Sequence, residues 1–182
     1  MKGKTTPPII QIMLFNVSHL LKEEMGASRD HKVAEELDRI DEDLDLQTPV
    51  EGEVRLTRTD RGVLVQAALS TSWALACGKC LDTFEQPVSI ELAEEYEAAI
   101  DLRTGASRKV TSQYTIDARH SLDLTDGIRQ ALLLEMPISP TCREACAGLC
   151  PECGLNLNEN PSHRHPKPID PRWTVLQDLA SG

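Results

Sequence analysis

The sequence predicts an α+β fold in which an antiparallel β-meander packs with a few short helices. Three observations carry this. Apolar and polar residues alternate from Val50 to Leu75, the period of a half-buried strand. A turn signal, "DRG" at 60–62, breaks that run in two. A capped apolar segment, "DLTDGIRQALLLEMP", follows further on and ends at Pro137, the pattern of a helix with a defined stop.

The elements follow in chain order. Ile9 to Phe15 is a short apolar run and reads as a buried strand. "NVSHLLKEEMG" reads as a short helix, capped by Asn16 or Ser18 and terminated by Gly26. Residues 27–48 hold Glu35, Glu36, Asp38, Asp41, Glu42, Asp43 and Asp45; such a charge run is expected to be a solvated loop or helix face. In "VEGEVRLTRT", Val50, Gly52, Val54 and Leu56 share one face. In the next strand Val63, Val65, Ala67, Leu69, Thr71, Trp73 and Leu75 do the same. "CGKC" then connects to a third strand running from Phe84 through Val88, Ile90 and Leu92 to Tyr96. Residues 101–113 read as a loop. In the helix that follows, Asp123 or Thr125 is the cap, and Ile128, Leu132 and Leu134 are expected to be buried. Residues 1–157 are expected to form one α+β domain that includes the cysteines, with 158–182 as a linker and a C-terminal helix at "DPRWTVLQDL".

Composition narrows the function. The chain is 40% hydrophobic but only 3% aromatic, so its core must be mostly aliphatic. A net charge of −10 gives no bulk attraction to phosphates, which argues against non-specific nucleic-acid binding and for a basic protein partner or a small local basic patch. The longest apolar stretch, "IIQIMLF", is far short of the ~20 residues of a spanning helix. No membrane association is expected, and the cytoplasm is the expected compartment. No Walker loop, nucleophile elbow, dinucleotide fingerprint or EF-hand pattern occurs. The chain therefore reads as a binding protein, not an enzyme.

The six cysteines are the chemistry-bearing residues. Cys150-Pro-Glu-Cys153-Gly154 and Cys77-Gly-Lys-Cys80 are both C-x-x-C segments. Two thiolates three positions apart can share a tetrahedral ion when the backbone turns tightly between them, and glycine after the second lets the chain leave. The expected site is a structural zinc held by Cys77, Cys80, Cys150 and Cys153, a knuckle-type staple with no open position for catalysis. Cys142 and Cys146 offer two alternatives: a local set with Cys150 and Cys153, or a set with Cys77 and Cys80. His163 and His165 lie in the linker and read as solvated. Two other functional classes stay open. One is a cytosolic thiol-disulfide protein using CGKC, which needs an exposed thiol of low pKa. The other is a zinc-ribbon transcription adaptor, for which the balanced charges after residue 142 supply no basic face.

Taken together, "FNVSHLL", "CGKCLDTFEQPV", "LDLTDGIRQALLLEMPISPTC", "CAGLCPECGLNLN" and "DPRWTVLQDL" resemble the bacterial YceD family, named for large ribosomal RNA subunit accumulation. In order and spacing they cover nearly the whole chain. The resemblance implies a cytoplasmic ribosome-biogenesis factor that supports accumulation of large-subunit (23S) ribosomal RNA. The acidic charge adds the expectation that it binds a ribosomal protein or a pre-large-subunit particle, with direct RNA contact left open. The resemblance brings no catalytic residues.

Overall fold

The alternating stretch after Pro49 becomes the middle of a seven-stranded sheet. The computed structural model describes residues 13–37, 40–100, 106 and 112–165. They sort into two compact units: Met1–Leu75 with Thr83–Pro140, and Ala76–Asp82 with Thr141–Gly182. This division runs through the span expected as one domain.

The first unit holds the sheet. Its strands are β1 (Leu14–Asn16), β2 (Ser28–Glu35), β3 (Val50–Arg58), β4 (Gly62–Ala76), β5 (Thr83–Ala98), β6 (Thr115–Ile116) and β7 (Ser121–Asp123). Their order is β1-β7-β6-β5-β4-β3-β2. β2, β3 and β4 are antiparallel neighbours, with Val54 opposite His31 on one side and Ala67 on the other. The sheet is mixed, however, because β6 runs parallel to β5 through Glu97↔Thr115 and Ala98↔Ile116. A short connection cannot make a parallel pair, and residues 99–114 are long enough to return the chain to the same end. Phe15 of β1 and His31 of β2 stand at opposite ends of the strand order. Their rings nevertheless meet edge to face with centroids 5.2 Å apart. Accumulated strand twist has curled the sheet until its two edges approach.

Alternation sets the core as expected. Val50, Val54, Leu56, Val63, Val65, Ala67, Leu69, Trp73 and Leu75 are buried, as are Ile90, Leu92 and Tyr96 of β5. The helix α1 (Thr125–Glu135) lies against β5. Neither residue expected at the cap occupies it: Leu124 is the N-cap, and no side chain caps the helix. Asp123 Oδ1 instead accepts the Thr125 amide at 2.9 Å, and Thr125 Oγ1 accepts the Met13 amide at 2.9 Å. Gly127 permits the close approach: a Cβ there would stand 3.1 Å from the Tyr96 hydroxyl. Ile128 and Leu132 are fully buried, but Leu134 is 85% exposed. Two residues beyond Leu132, a helix has turned by about 200°, which carries Leu134 to the solvent side.

Three other expectations change. The helix expected after Asn16 is a single 3-10 turn, Leu20–Lys22. It buries Leu20 and Leu21 side by side, and Gly26 ends the segment at φ 87°. Residues 28–35 are not a loop or helix face but the edge strand β2, paired with β3 along its whole length. Its pairing uses the backbone, so its polar side chains hide the alternation; those same charges keep the edge from recruiting another strand. The rest of the acidic run is also anchored. Leu37 and Leu44 are buried, Leu46 bridges Trp73, and Arg129 of α1 donates to Asp41 at 3.1 Å. Glu36, Glu42, Asp43 and Asp45 remain exposed as expected. The early part of the Ile9–Phe15 run, most of the 101–113 loop and the C-terminal "DPRWTVLQDL" lie outside the described residues. Among those described, no helix is long and apolar enough to cross a membrane.

Candidate metal centre

All six cysteines belong to the second unit, and its two C-x-x-C segments fold alike. In 77–82 the Leu81 amide donates to the Cys77 carbonyl at 2.9 Å, and the Cys77 amide donates to the Asp82 carbonyl at 2.9 Å. In 150–155 the Gly154 amide donates to the Cys150 carbonyl and the Cys150 amide to the Leu155 carbonyl, both at 2.8 Å. The residue after the second cysteine is left-handed in each: Leu81 at φ 63° and Gly154 at φ 74°. Glycine adopts that conformation freely, whereas a leucine pays about 1–2 kcal/mol for it. The turn around 77–80 is therefore held against a local backbone preference.

The loop after Thr141 places its cysteines beside the first turn. The Leu149 amide donates to the Lys79 carbonyl at 3.0 Å. Gly148 sits so close that a Cβ would be 3.1 Å from that same oxygen. Asn156 Nδ2 ties the following segment to Asp82 at 2.9 Å. An antiparallel bridge, Leu149↔Asn156, then makes 150–155 the tip of a small hairpin.

Two ligand clusters result. Cys77, Cys80, Cys142 and Cys146 form one; Cys150, Cys153, His163 and His165 form the other. Within each, every ligand atom lies within 4.8 Å of the others. In the first, Cys77 Sγ is 3.8 Å from Cys146 Sγ, and Cys80 Sγ is 3.7 Å from Cys142 Sγ. Tetrahedral metal–sulfur bonds of about 2.3 Å imply sulfur separations of about 3.8 Å. In the second, the Nε2 atoms of His163 and His165 are each 3.2 Å from Cys153 Sγ and 2.9 Å from one another. His165 Nδ1 faces Glu152 Oε2 at 3.3 Å. Either cluster can hold a metal ion.

Cys77 and Cys80 stand together with Cys142 and Cys146, one of the two alternative sets, and not with Cys150 and Cys153, the set expected first from spacing. Spacing identifies which cysteines share a turn, but the Lys79–Leu149 contact decides which turns meet. His163 and His165, read as solvated, stand with Cys150 and Cys153 instead. The available signal was a His-x-His placed just downstream of the second C-x-x-C.

The surroundings favour thiolate in part of the first cluster. The Cys77 thiol is pulled down to about 6 by the amides of Cys142 and Cys80, which outweigh its burial. The Asn158 side chain, 3.4 Å from Cys146 Sγ, leads the lowering at that thiol. Burial pushes Cys142 up. Cys80 also lies above its ordinary value: the Asp82 amide favours its thiolate, but burial, the Asp82 side chain and the sulfurs of Cys77 and Cys142 outweigh it. Four adjacent sulfurs cannot all ionise against one another unless a cation joins them. In the second cluster, the amides of Cys153 and Glu152 lower Cys150. A thiol-exchange catalyst would need its low-pKa sulfur within reach of a substrate, yet Cys77 is 0% exposed.

A family model described as "Large ribosomal RNA subunit accumulation protein YceD" matches residues 65–180. Among curated proteins, the chain is similar to an uncharacterized protein of Mycobacterium tuberculosis. The two are 32% identical over 127 residues, covering 70% of this chain and 60% of the relative. An uncharacterized protein of Mycobacterium leprae is 28% identical over 131 residues, covering 72% of this chain and 59% of the relative. The matches thus span about 60% of the length of these curated relatives. No solved structure matches.

Proposed function

This chain belongs to the YceD family, and from that membership we propose that it is a non-catalytic, cytoplasmic ribosome-biogenesis factor. It supports accumulation of large-subunit (23S) ribosomal RNA by binding a ribosomal protein or a pre-large-subunit particle. The observation that carries this reading is the family match over residues 65–180. Charge supports the choice of partner: at −10 the chain repels phosphate and attracts a lysine- and arginine-rich protein, chiefly by speeding encounter. In the same reading Cys77, Cys80, Cys142 and Cys146 hold a structural zinc. Four sulfurs within 4.8 Å of one another, two pairs of them 3.7–3.8 Å apart, suit that ion, and four thiolates leave no position open for a reacting water.

The test is affinity purification of the tagged chain at low and moderate salt, identifying bound RNA and protein. Large-subunit precursors should be recovered together with a basic ribosomal protein. Neutralising the exposed Glu36, Glu42, Asp43 and Asp45, while leaving the anchored Asp41, should weaken recovery and flatten its salt dependence. If the chain instead binds naked large-subunit RNA tightly at physiological salt, and the neutralised variant binds it equally, the contact is not protein-mediated.

A further inference from the structure

We propose that Cys150, Cys153, His163 and His165 form a second metal site, for a zinc-class divalent cation, that loads independently of the four-thiolate cluster and releases its ion first. Three features of the cluster point to a ligand. The two imidazole Nε2 atoms and the Cys153 sulfur converge within 2.9–3.2 Å of one another. Tetrahedral zinc with two sulfur and two nitrogen ligands has edges of about 3.4–3.5 Å for its N–N and N–S pairs, so an ion at the centre needs the three atoms to spread by only a few tenths of an ångström. The His165 ring is also held from behind, with Nδ1 facing Glu152 at 3.3 Å. A carboxylate on one ring nitrogen orients the other toward a metal and raises its basicity. Finally, Cys150 and Cys153 sit in a turn that repeats the hydrogen bonds and left-handed residue of 77–82. That turn belongs to the cluster whose sulfurs already stand at metal-binding distances.

The two sites differ in charge and in shelter. Two thiolates and two neutral imidazoles balance a divalent cation, whereas four thiolates leave an excess of two negative charges for the surrounding amides to offset. Cys77 and Cys80 are 0% and 3% exposed, while Cys153 is exposed and the Glu152 side chain is 52% exposed. Cys150 is buried and the two histidines are half-buried, so solvent and chelators reach the second site from the Cys153 side. Soft sulfur with imidazole selects zinc over the hard, oxygen-seeking magnesium and calcium.

Native mass spectrometry of the full chain, purified with Zn²⁺, tests this. Two zinc ions per chain are expected. A His163→Asn/His165→Asn variant should hold one, and a limiting chelator should remove one ion from the wild type well before the other. Titration with Co²⁺ reads the ligands independently: the four-sulfur spectrum should appear in both proteins, and the band of mixed sulfur and nitrogen ligation only in the wild type. Glu152→Gln should keep both ions but bind the outer one about 10–100-fold more weakly, a milder change than loss of a ligand. One zinc in the wild type, unaffected by the histidine changes and lost with Cys80→Ser/Cys142→Ser, would overturn the second site and leave the four-thiolate one standing. Two ions retained in the histidine variant would overturn it as well.

Discussion

The sheet unit and the cysteine unit are built on different kinds of interior. In the first, buried aliphatic side chains with Trp73 and Tyr96 form one continuous cluster, from Met13 to Leu132. In the second, the buried residues among those described are Cys77, Cys80, Cys146 and Cys150, together with Gly148. One interior is apolar surface removed from water. The other, among the described residues, buries sulfur ligands and no aliphatic side chain. Small units cannot bury enough surface to offset chain entropy and rely on metals or disulfides instead, and all six cysteines here are free thiols. The difference teaches that the two units should respond to different treatments, and each substitution below tests that separation.

The largest effect is expected from Cys80→Ser with Cys142→Ser. Structural zinc sites bind with apparent free energies of about 10–16 kcal/mol, so residues 77–82 and 141–149 should lose their dispersed amide resonances, while those of β3, β4 and the separately loaded 150–165 segment stay in place. Leu132→Ala acts on the other unit. It should cost about 2–5 kcal/mol in urea unfolding of the sheet, with zinc content unchanged. Leu134→Ala, on the exposed side of the same helix, should stay within about 0.5 kcal/mol; a large loss there would show that the helix faces are assigned incorrectly. Gly52→Ala should cost about 1–3 kcal/mol, because its Cβ would stand 2.1 Å from the Ala68 carbonyl oxygen, and it too should spare the metal.

The smallest effect expected is that of Asp41→Asn. The amide of Asp43 and the guanidinium of Arg129 hold the Asp41 carboxyl below its ordinary value. A carboxyl depressed by folding adds stability above its unfolded pKa and loses it as pH falls through the folded one. The variant should therefore be slightly less stable than wild type at neutral pH, and the gap should close as pH drops below about 4. A gap that widens with acid would contradict the pairing.

How much of this could be read in the sequence follows the same division. β3 and β4 were legible because one face is buried, and burial writes a two-residue period. β2 was not: its pairing with β3 is made by the backbone, and side chains such as Arg29, Asp30 and Lys32 carry no apolar alternation. α1 was legible in extent, but Leu134 was misplaced because a run of three leucines masks the helical period. In the cysteine unit the turns were legible and their meeting was not. Cys77-Gly-Lys-Cys80 and Cys150-Pro-Glu-Cys153 announce tight turns locally. Which turn faces Cys142 and Cys146, and which faces His163 and His165, depends on long-range contacts such as Lys79 with Leu149.

The most direct test of the two-interior account is amide hydrogen exchange on the full chain before and after complete zinc removal, with metal loss verified by mass. The account predicts that protection in 76–82 and 141–165 collapses on chelation and returns with Zn²⁺, while β3 and β4 exchange as before. Protection that survives in the cysteine unit without metal, or a sheet that opens together with it, would contradict the claim that sulfur ligation takes the place of an apolar core there.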